Sequence, residues 1–155
     1  MIVAPLVTIR PLAPGDQPAW RPLWDGYNAF YGRSGATALP EAITAATWAR
    51  FFDPAEPVHA LVALQGERIV GLAHYIYQRQ TTRLAHVCYL NDLFTAPDAR
   101  GQGVGRALIE AVYAAARTAG SPRVYWGTQA TNAAGRALYD KVAWHQGFII
   151  YAHEL

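Results

Sequence analysis

The segment Arg100-Gly101-Gln102-Gly103-Val104-Gly105-Arg106 is where residue type and spacing in this chain come nearest to chemistry. Its three alternating glycines let the backbone take positive φ and approach a ligand closely. It lies between a β-rich run and an amphipathic helical stretch. Free N–H groups at a helix start point outward and carry the positive end of the helix dipole. Together these features make a cradle for phosphate, and Arg100 and Arg106 add charge suited to a pyrophosphate. Taken alone, the same triplet reads equally well as a turn that binds nothing. Two rival phosphate motifs fail. A P-loop needs Gly-Lys-Ser/Thr, whereas Gly105 is followed by Arg106 and Ala107. A dinucleotide fingerprint needs glycine where Arg106 stands and an acid near the end of the next strand, and Val124-Tyr125-Trp126-Gly127-Thr128-Gln129 has none.

Other reactive groups are scattered. Cys88 lies inside a β-rich run with no histidine beside it in sequence, which predicts a buried, inert thiol rather than a nucleophile. The five histidines show no ligand spacing, so no metal site is expected. Tyr139 sits on an amphipathic helical stretch, where spacing alone reads it as a core aromatic.

The elements that must carry these groups follow from periodicity. Thr8 to Leu12 reads as a short strand. Pro14-Gly15-Asp16 marks a turn, with Asp16 an expected N-cap. Residues 17–31 place Trp20, Leu23, Trp24, Tyr27 and Tyr31 on one helical face, with Pro22 near the first turn or as a kink. A second helix is expected over 40–52. The period then shortens: 58–64 and 69–78 are β-rich and split by Gln65-Gly66-Glu67-Arg68, a hairpin signal. A longer β run covers 84–95. Helix is predicted over 103–119, strand over 123–129, helix over 133–142 behind Asn132 as N-cap, and a final strand over Gly147–His153. The order is β-α-α-β-β-β-α-β-α-β, a single α/β domain of the α+β type. It implies a mixed, mostly antiparallel sheet with helices on both faces.

The glycine segment, Tyr89-Leu90-Asn91-Asp92-Leu93-Phe94 before it, Asn132-Ala133-Ala134-Gly135-Arg136-Ala137-Leu138-Tyr139-Asp140-Lys141 after it, and the closing Gly147-Phe148 together resemble the GNAT acyltransferases. The nearest likeness in motif is to the diamine N-acetyltransferase and microbial histone-acetyltransferase-like branch. The resemblance covers nearly the whole chain and is strongest from Tyr89 to Phe148. It implies the GNAT fold, a sheet splayed at the cofactor site, and acetyl-CoA as acyl-donor cosubstrate. The pantetheine arm would lie along Leu93, Phe94 and Thr95, the pyrophosphate on Arg100, Gly101, Gln102, Gly103, Val104, Gly105 and Arg106, and Asn132 would touch the cofactor from across the gap. Direct attack of a neutral amine on the thioester is the implied reaction, with Tyr139 as proton donor to the leaving thiolate. The carboxylate that serves as base in the diamine branch falls on Asn91, which cannot accept a proton at neutral pH. Asp92 is adjacent, and strand alternation points it to the other face unless a bulge re-aims it. His74, His86 or a water chain are the remaining candidates for the base.

The expected acceptor is a primary amine on a small molecule, amino acid, polyamine or peptide. Trp24, Tyr27, Phe30, Tyr31, Tyr75, Tyr77 and Trp126 are candidate cation–π walls, and each taken singly reads as core. Two other readings remain: a non-catalytic acyl-CoA-binding regulatory module, motivated by Asn91, and another kind of nucleotide-binding module, motivated by the glycines alone. A net charge of +2 with one lysine, Lys141, and no basic run argues against nucleic acid. No apolar run approaches the ~20 residues of a membrane span. Met1 to Pro5 lacks the pattern of a signal peptide, and one cysteine excludes an internal disulfide, so a cytoplasmic setting is expected. A homodimer is expected, joined through an exposed final strand.

Overall fold

The structure is a computed structural model that describes residues 6–155; Met1 to Pro5, on which the expectation about a signal peptide rests, lie outside the described residues. Five strands, β1 (Val7–Pro11), β2 (Val58–Gln65), β3 (Arg68–Gln78), β4 (Val87–Thr95) and β5 (Val124–Tyr125), form one sheet in sequence order. The first three pairings are antiparallel and β4·β5 is parallel. Among the described residues four α-helices accompany the sheet: α1 (Gln17–Phe30), α2 (Glu41–Arg50), α3 (Val104–Thr118) and α4 (Ala133–Val142).

Alternation along β3 assigns the faces. A Cβ on Gly71 would sit 2.9 Å from Val104 and 3.1 Å from Leu108, so α3 packs tightly where glycine leaves room. Three residues on, His74 faces α1 instead, with Trp20, Trp24 and Phe51 around its ring. Helices therefore cover both faces, and each buries one stripe. On α3 the stripe is Val104, Leu108, Ile109, Val112 and Ala116. On α1 it is Trp20, Leu23, Trp24 and Tyr27, with the indoles of Trp20 and Trp24 stacked at 5.6 Å. Pro22 lies inside α1 on its solvent face, where water can meet the carbonyl its missing N–H frees. The Trp24 indole N–H donates to Thr44 Oγ1 at 3.0 Å and fastens α2 to α1.

Two local expectations are corrected. Asp16 stands at the head of α1 but caps nothing with its side chain. Its carboxylate instead takes both Arg10 guanidinium nitrogens, at 2.6 and 2.9 Å, and the Ala13 N–H at 2.7 Å. The expected strand over Gly147–His153 is not formed; this segment is exposed and pairs with nothing in the described chain, because the sheet ends at the two-residue β5. The β run over 84–95 is trimmed to Val87–Thr95, and that over 123–129 to Val124–Tyr125.

Candidate active site

The site begins with a parting of strands. β4 and β5 pair only at Cys88↔Val124 and Tyr89↔Tyr125. Beyond that point β4 runs on to Thr95, held on one side by β3, while its other edge is free. A sheet opened in this way leaves strand amides facing a gap, where an extended ligand can pair as an added strand. Leu93, Phe94 and Thr95 lie along that free edge, half-buried. The Phe94 ring packs so closely on α1 that a Cβ on Gly26 would lie 2.8 Å from it, so the backbone of this residue, not its side chain, faces the gap.

At the end of β4 a 3₁₀ turn, Pro97–Ala99, leads into the glycine loop. Gly101 and Gly103 have φ of 73° and 82°, the left-handed region that favours glycine, and a Cβ on either would meet open space. The N–H groups of Gly101, Gln102 and Gly103 find no acceptor among the described residues. The loop thus ends in a set of unsatisfied donors at the head of the 15-residue α3, a fit for phosphate. Arg100 lies over the Phe94 ring at 5.2 Å and donates to the Thr95 carbonyl at 3.1 Å. Gln102 accepts from Gln65 at 2.7 Å, which ties the loop to β2. Arg106 shares its charge with Glu110 at 3.0 Å on the exposed side of α3. Val104 is buried in the core and acts there as an anchor for the helix.

α4 closes the far side. Asn132 caps it by accepting from the Gly135 N–H at 3.2 Å, while its amide nitrogen donates to Thr128 at 3.0 Å, so the side chain is already engaged within its own loop. A Cβ on Gly105 would lie 3.2 Å from Leu138, which sets the glycine loop beside α4. The next residue, Tyr139, lines a small pocket with Tyr27, Tyr31, Leu90, Asn91, Leu93 and Trp126. Its phenol is raised above the ordinary tyrosine range by burial, with Tyr31 adding to the effect. It is therefore protonated at neutral pH and able to donate.

The register of β4 slips once. His74 pairs with Asp92 and Tyr75 with Leu90, which leaves Asn91 as an extra, bulged residue. The slip brings two neighbours to one site. Asn91 is exposed and lines both the small pocket and a larger cavity of about 190 Å³. Asp92 is buried and lines that larger cavity beside His74, Trp24, Arg50 and Phe51.

Asp92 ends a directed chain of hydrogen bonds. Trp20 donates its indole N–H to His74 Nε2 at 3.0 Å. An indole N–H can only donate, so Nε2 must accept, and the ring proton sits on Nδ1. Nδ1 then donates to Asp92 Oδ2 at 2.8 Å. Asn91 donates its side-chain amide to Oδ1 at 2.7 Å, and the Tyr27 hydroxyl reaches the Asn91 carbonyl at 3.3 Å beside the carboxylate. Burial alone would push the Asp92 carboxyl up; the bonds from His74, Tyr27 and Asn91 outweigh it and hold the carboxyl below the usual carboxylate value. The Tyr27 phenol moves the other way, raised by burial first and by the Asp92 charge second. His74 has both nitrogens committed and so has no lone pair for a substrate proton. His86 lies before β4 and lines neither pocket; its Nδ1 is buried without a partner. Cys88 is buried, and burial pushes its thiol up to about 12.

Of the aromatic candidates, Tyr27, Tyr31 and Trp126 line the small pocket and Trp24 the larger cavity. Tyr77 lies on the opposite face, donating to the Ala115 carbonyl of α3 at 3.3 Å, with Tyr75 against it. Phe30 is exposed and lines neither. Sequence reasoning missed Arg50, at the end of α2, and the Trp20–His74 link. A basic residue in the last turn of a helix, two positions after Trp48, was the available signal for Arg50. Nothing in one sequence signals a bond between residues 54 positions apart.

The profile of the Acetyltransferase (GNAT) family matches residues 20–144. The chain belongs to the GNAT acetyltransferase family. Along 94% of its length it is 35% identical to the D-amino-acid N-acetyltransferase HPA3 of Saccharomyces cerevisiae, covering 89% of that protein. Among solved structures, a probable acetyltransferase superposes with a TM-score of 0.82 at 23% identity, over 96% of this chain and 97% of the other. AAC(6')-Iy in complex with a bisubstrate analogue, CoA-S-monomethyl-acetylneamine, does so at 0.79 and 16% identity, over 97% and 99%. These likenesses bear out the GNAT fold read from the glycine loop and the Asn132-to-Lys141 segment, and the chain is an acetyltransferase. Members of the GNAT family use acetyl-CoA.

Proposed function

We propose that this GNAT protein moves an acetyl group from acetyl-CoA to a primary amine by direct attack, in the cytoplasm and as a homodimer. The observation that carries the reading is the parted β4 edge, which has unsatisfied loop N–H groups at one end and Asp92, Asn91 and Tyr139 along its middle. The loop donors and the α3 dipole bind the pyrophosphate, and the free edge of β4 takes the pantetheine amides. Tyr139, held protonated, donates to the departing thiolate. Asp92 is anionic at neutral pH and faces the cavity, where it receives the ammonium form of the acceptor and the charge that develops on nitrogen during attack. The proton leaves to water through this polar edge.

Asn91 motivated the non-catalytic reading. The bulge counters that motive, since it sets a carboxylate at the next residue. A free thiol silenced by burial suits a reducing compartment.

The larger cavity supports an amino acid as acceptor. Its wall holds one anion, Asp92, and one exposed cation, Arg50, with Trp24 and Phe51 between them. A molecule with an amine and a carboxylate meets both, and the likeness to a D-amino-acid N-acetyltransferase agrees. Calorimetric titration with acetyl-CoA beside CoA, NAD and ATP is the first test; selective acetyl-CoA binding is expected. Thiol release is then followed over D- and L-amino acids, polyamines and lysine peptides. Binding of NAD or ATP in preference to CoA, or no thiol release with any amine, rejects the proposal.

A further inference from the structure

The arginines of this chain divide by what answers them. Arg10, Arg21, Arg68 and Arg106 each donate to a carboxylate. Arg33 meets no carboxylate among the described residues, although it is half-buried. Its Nε donates to Asn28 Oδ1 at 2.7 Å, and its guanidinium lies over the Tyr27 and Tyr31 rings, 5.8 and 5.5 Å from their centroids. Asn28 is itself buried and donates its side-chain amide to the Trp24 carbonyl at 2.9 Å, which turns its oxygen to Arg33. The guanidinium is thus fixed by a neutral amide and two π faces. Its two terminal nitrogens find no acceptor among the described residues. A side chain braced in this way has already given up much of its freedom. A fork of donors without a counter-charge is the complement of a carboxylate brought from outside.

The place of Arg33 in the site decides which carboxylate. Trp24, Tyr27 and Tyr31 form one row along α1, with successive ring centroids 5.8 and 5.1 Å apart. Trp24 faces the larger cavity, where Arg50 and Asp92 stand. Tyr27 and Tyr31 face the small pocket of Tyr139. Asn91 opens onto both, so the two spaces adjoin. Burial raises the Tyr27 phenol; Asp92 adds to the rise and Arg33 opposes it, so both charges act on the middle ring of the row. The order along the row is therefore cation, anion, cation: Arg50, Asp92, Arg33. Its complement is a molecule that runs carboxylate, ammonium, carboxylate. A neutral amino acid leaves Arg33 unanswered, and a diamine sets a like charge against it.

We propose that Arg33 is a subsite for a second carboxylate, which makes the acceptor of this enzyme an amino dicarboxylate. The α-carboxylate meets Arg50, the amine meets Asp92 beside the parted β4 edge, and the side-chain carboxylate meets Arg33. What then happens to the amine rests on the acetyl-transfer reading; the order of charges does not.

The test measures thiol release from acetyl-CoA with aspartate and glutamate of both hands, beside asparagine and glutamine. Each acid matches its amide in size and differs by one charge. The ratio of kcat/KM is expected to favour the acid by roughly 10- to 100-fold, the range for a hydrogen bond to a charged group. Arg33→Gln should abolish that preference, and Arg33→Lys, which keeps the charge but not the fork, should retain part of it. Equal use of acid and amide by the native chain, a preference for the amides, or a preference that survives Arg33→Gln overturns the proposal. Calorimetry of glutamate and glutamine against the native protein saturated with CoA reads the same preference without turnover. A binding preference without thiol release would uphold the subsite and reject acetyl transfer. Thiol release without any preference would do the reverse.

Discussion

The two faces of β3 and β4 differ in kind. Toward α3 the interior is mostly dry: Gly71 admits Val104 and Leu108, and Ile109 and Val112 complete an aliphatic layer. Toward α1 it is wet in chemistry though closed to solvent, with Trp20, His74, Asp92, Asn28 and Thr44 all buried and all hydrogen-bonded. Apolar burial needs only area and shape. A buried carboxylate needs every bond in place, because an unpaired one costs several kcal/mol. The difference teaches that the two faces do separate work. The dry face holds the helix that presents the glycine loop, and the wet face keeps one anion fixed at the edge of a cavity.

The largest effects come from breaking each face at its centre. Asp92→Ala leaves the neutral His74 N–H and the Asn91 amide without their acceptor, and should cost about 1–3 kcal/mol of stability for each. Activity should fall with it, even in the fraction that remains folded. Leu108→Ala should cost about 2–5 kcal/mol while leaving kcat of the folded protein near native. Denaturant unfolding and initial rates, measured on both variants, check the pair. Equal losses of kcat would dissolve the distinction between the faces. Tyr139→Phe should come next, lowering kcat by roughly 100-fold with acetyl-CoA affinity nearly unchanged. Calorimetry and steady-state rates separate the two quantities.

The dry face was the legible one. A period of 3.6 over 103–119 is a local signal, and α3 ends within a residue of where it predicts. The glycine loop was legible for the same reason, since its conformation is set by its own residues. The wet face was legible only in its parts. Alternation placed Asp92 opposite Asn91, and both could not serve one site without the bulge. A bulge follows from pairing with β3, which one strand does not record. Nor does helix spacing tell that Trp20 meets His74 through its N–H rather than its ring alone. The final strand failed from the opposite cause. Its composition is strand-like, but a strand exists only with a partner, and the described residues pair none with it. Asp16 failed as a cap because Arg10, six residues away, competes for the same carboxylate at shorter range.

Smaller effects sharpen the comparison along the hydrogen-bond chain. Trp20→Phe keeps most of the ring but leaves His74 Nε2 without its donor, which should cost about 1–3 kcal/mol. pH should report the same network. The folded carboxyl of Asp92 lies below its unfolded value of about 3.9, so its contribution is complete above that value. The contribution fades as pH falls through the folded value. Stability measured by thermal melts should therefore fall more steeply below about pH 4 in the native chain than in Asp92→Asn, which has no proton to gain there.

The smallest effect is expected at Cys88, and it tests the dry face in turn. This thiol lies beside Tyr75 and Tyr77, on the side of α3, with burial pushing it up to about 12. A thiol so placed has almost no thiolate at neutral pH and no path to solvent. Alkylation must then wait for the molecule to open, and its rate should follow the opening equilibrium. Under native conditions iodoacetamide should leave Cys88 unmodified over hours and leave activity intact. Leu108→Ala should speed modification by at least 30-fold, the factor that corresponds to about 2 kcal/mol of lost stability. Tyr139→Phe, which touches the other region, should leave the rate where it was. Rapid modification of the native chain would mean that the dry face opens without unfolding. The glycine loop would then rest on a helix far less fixed than its packing implies.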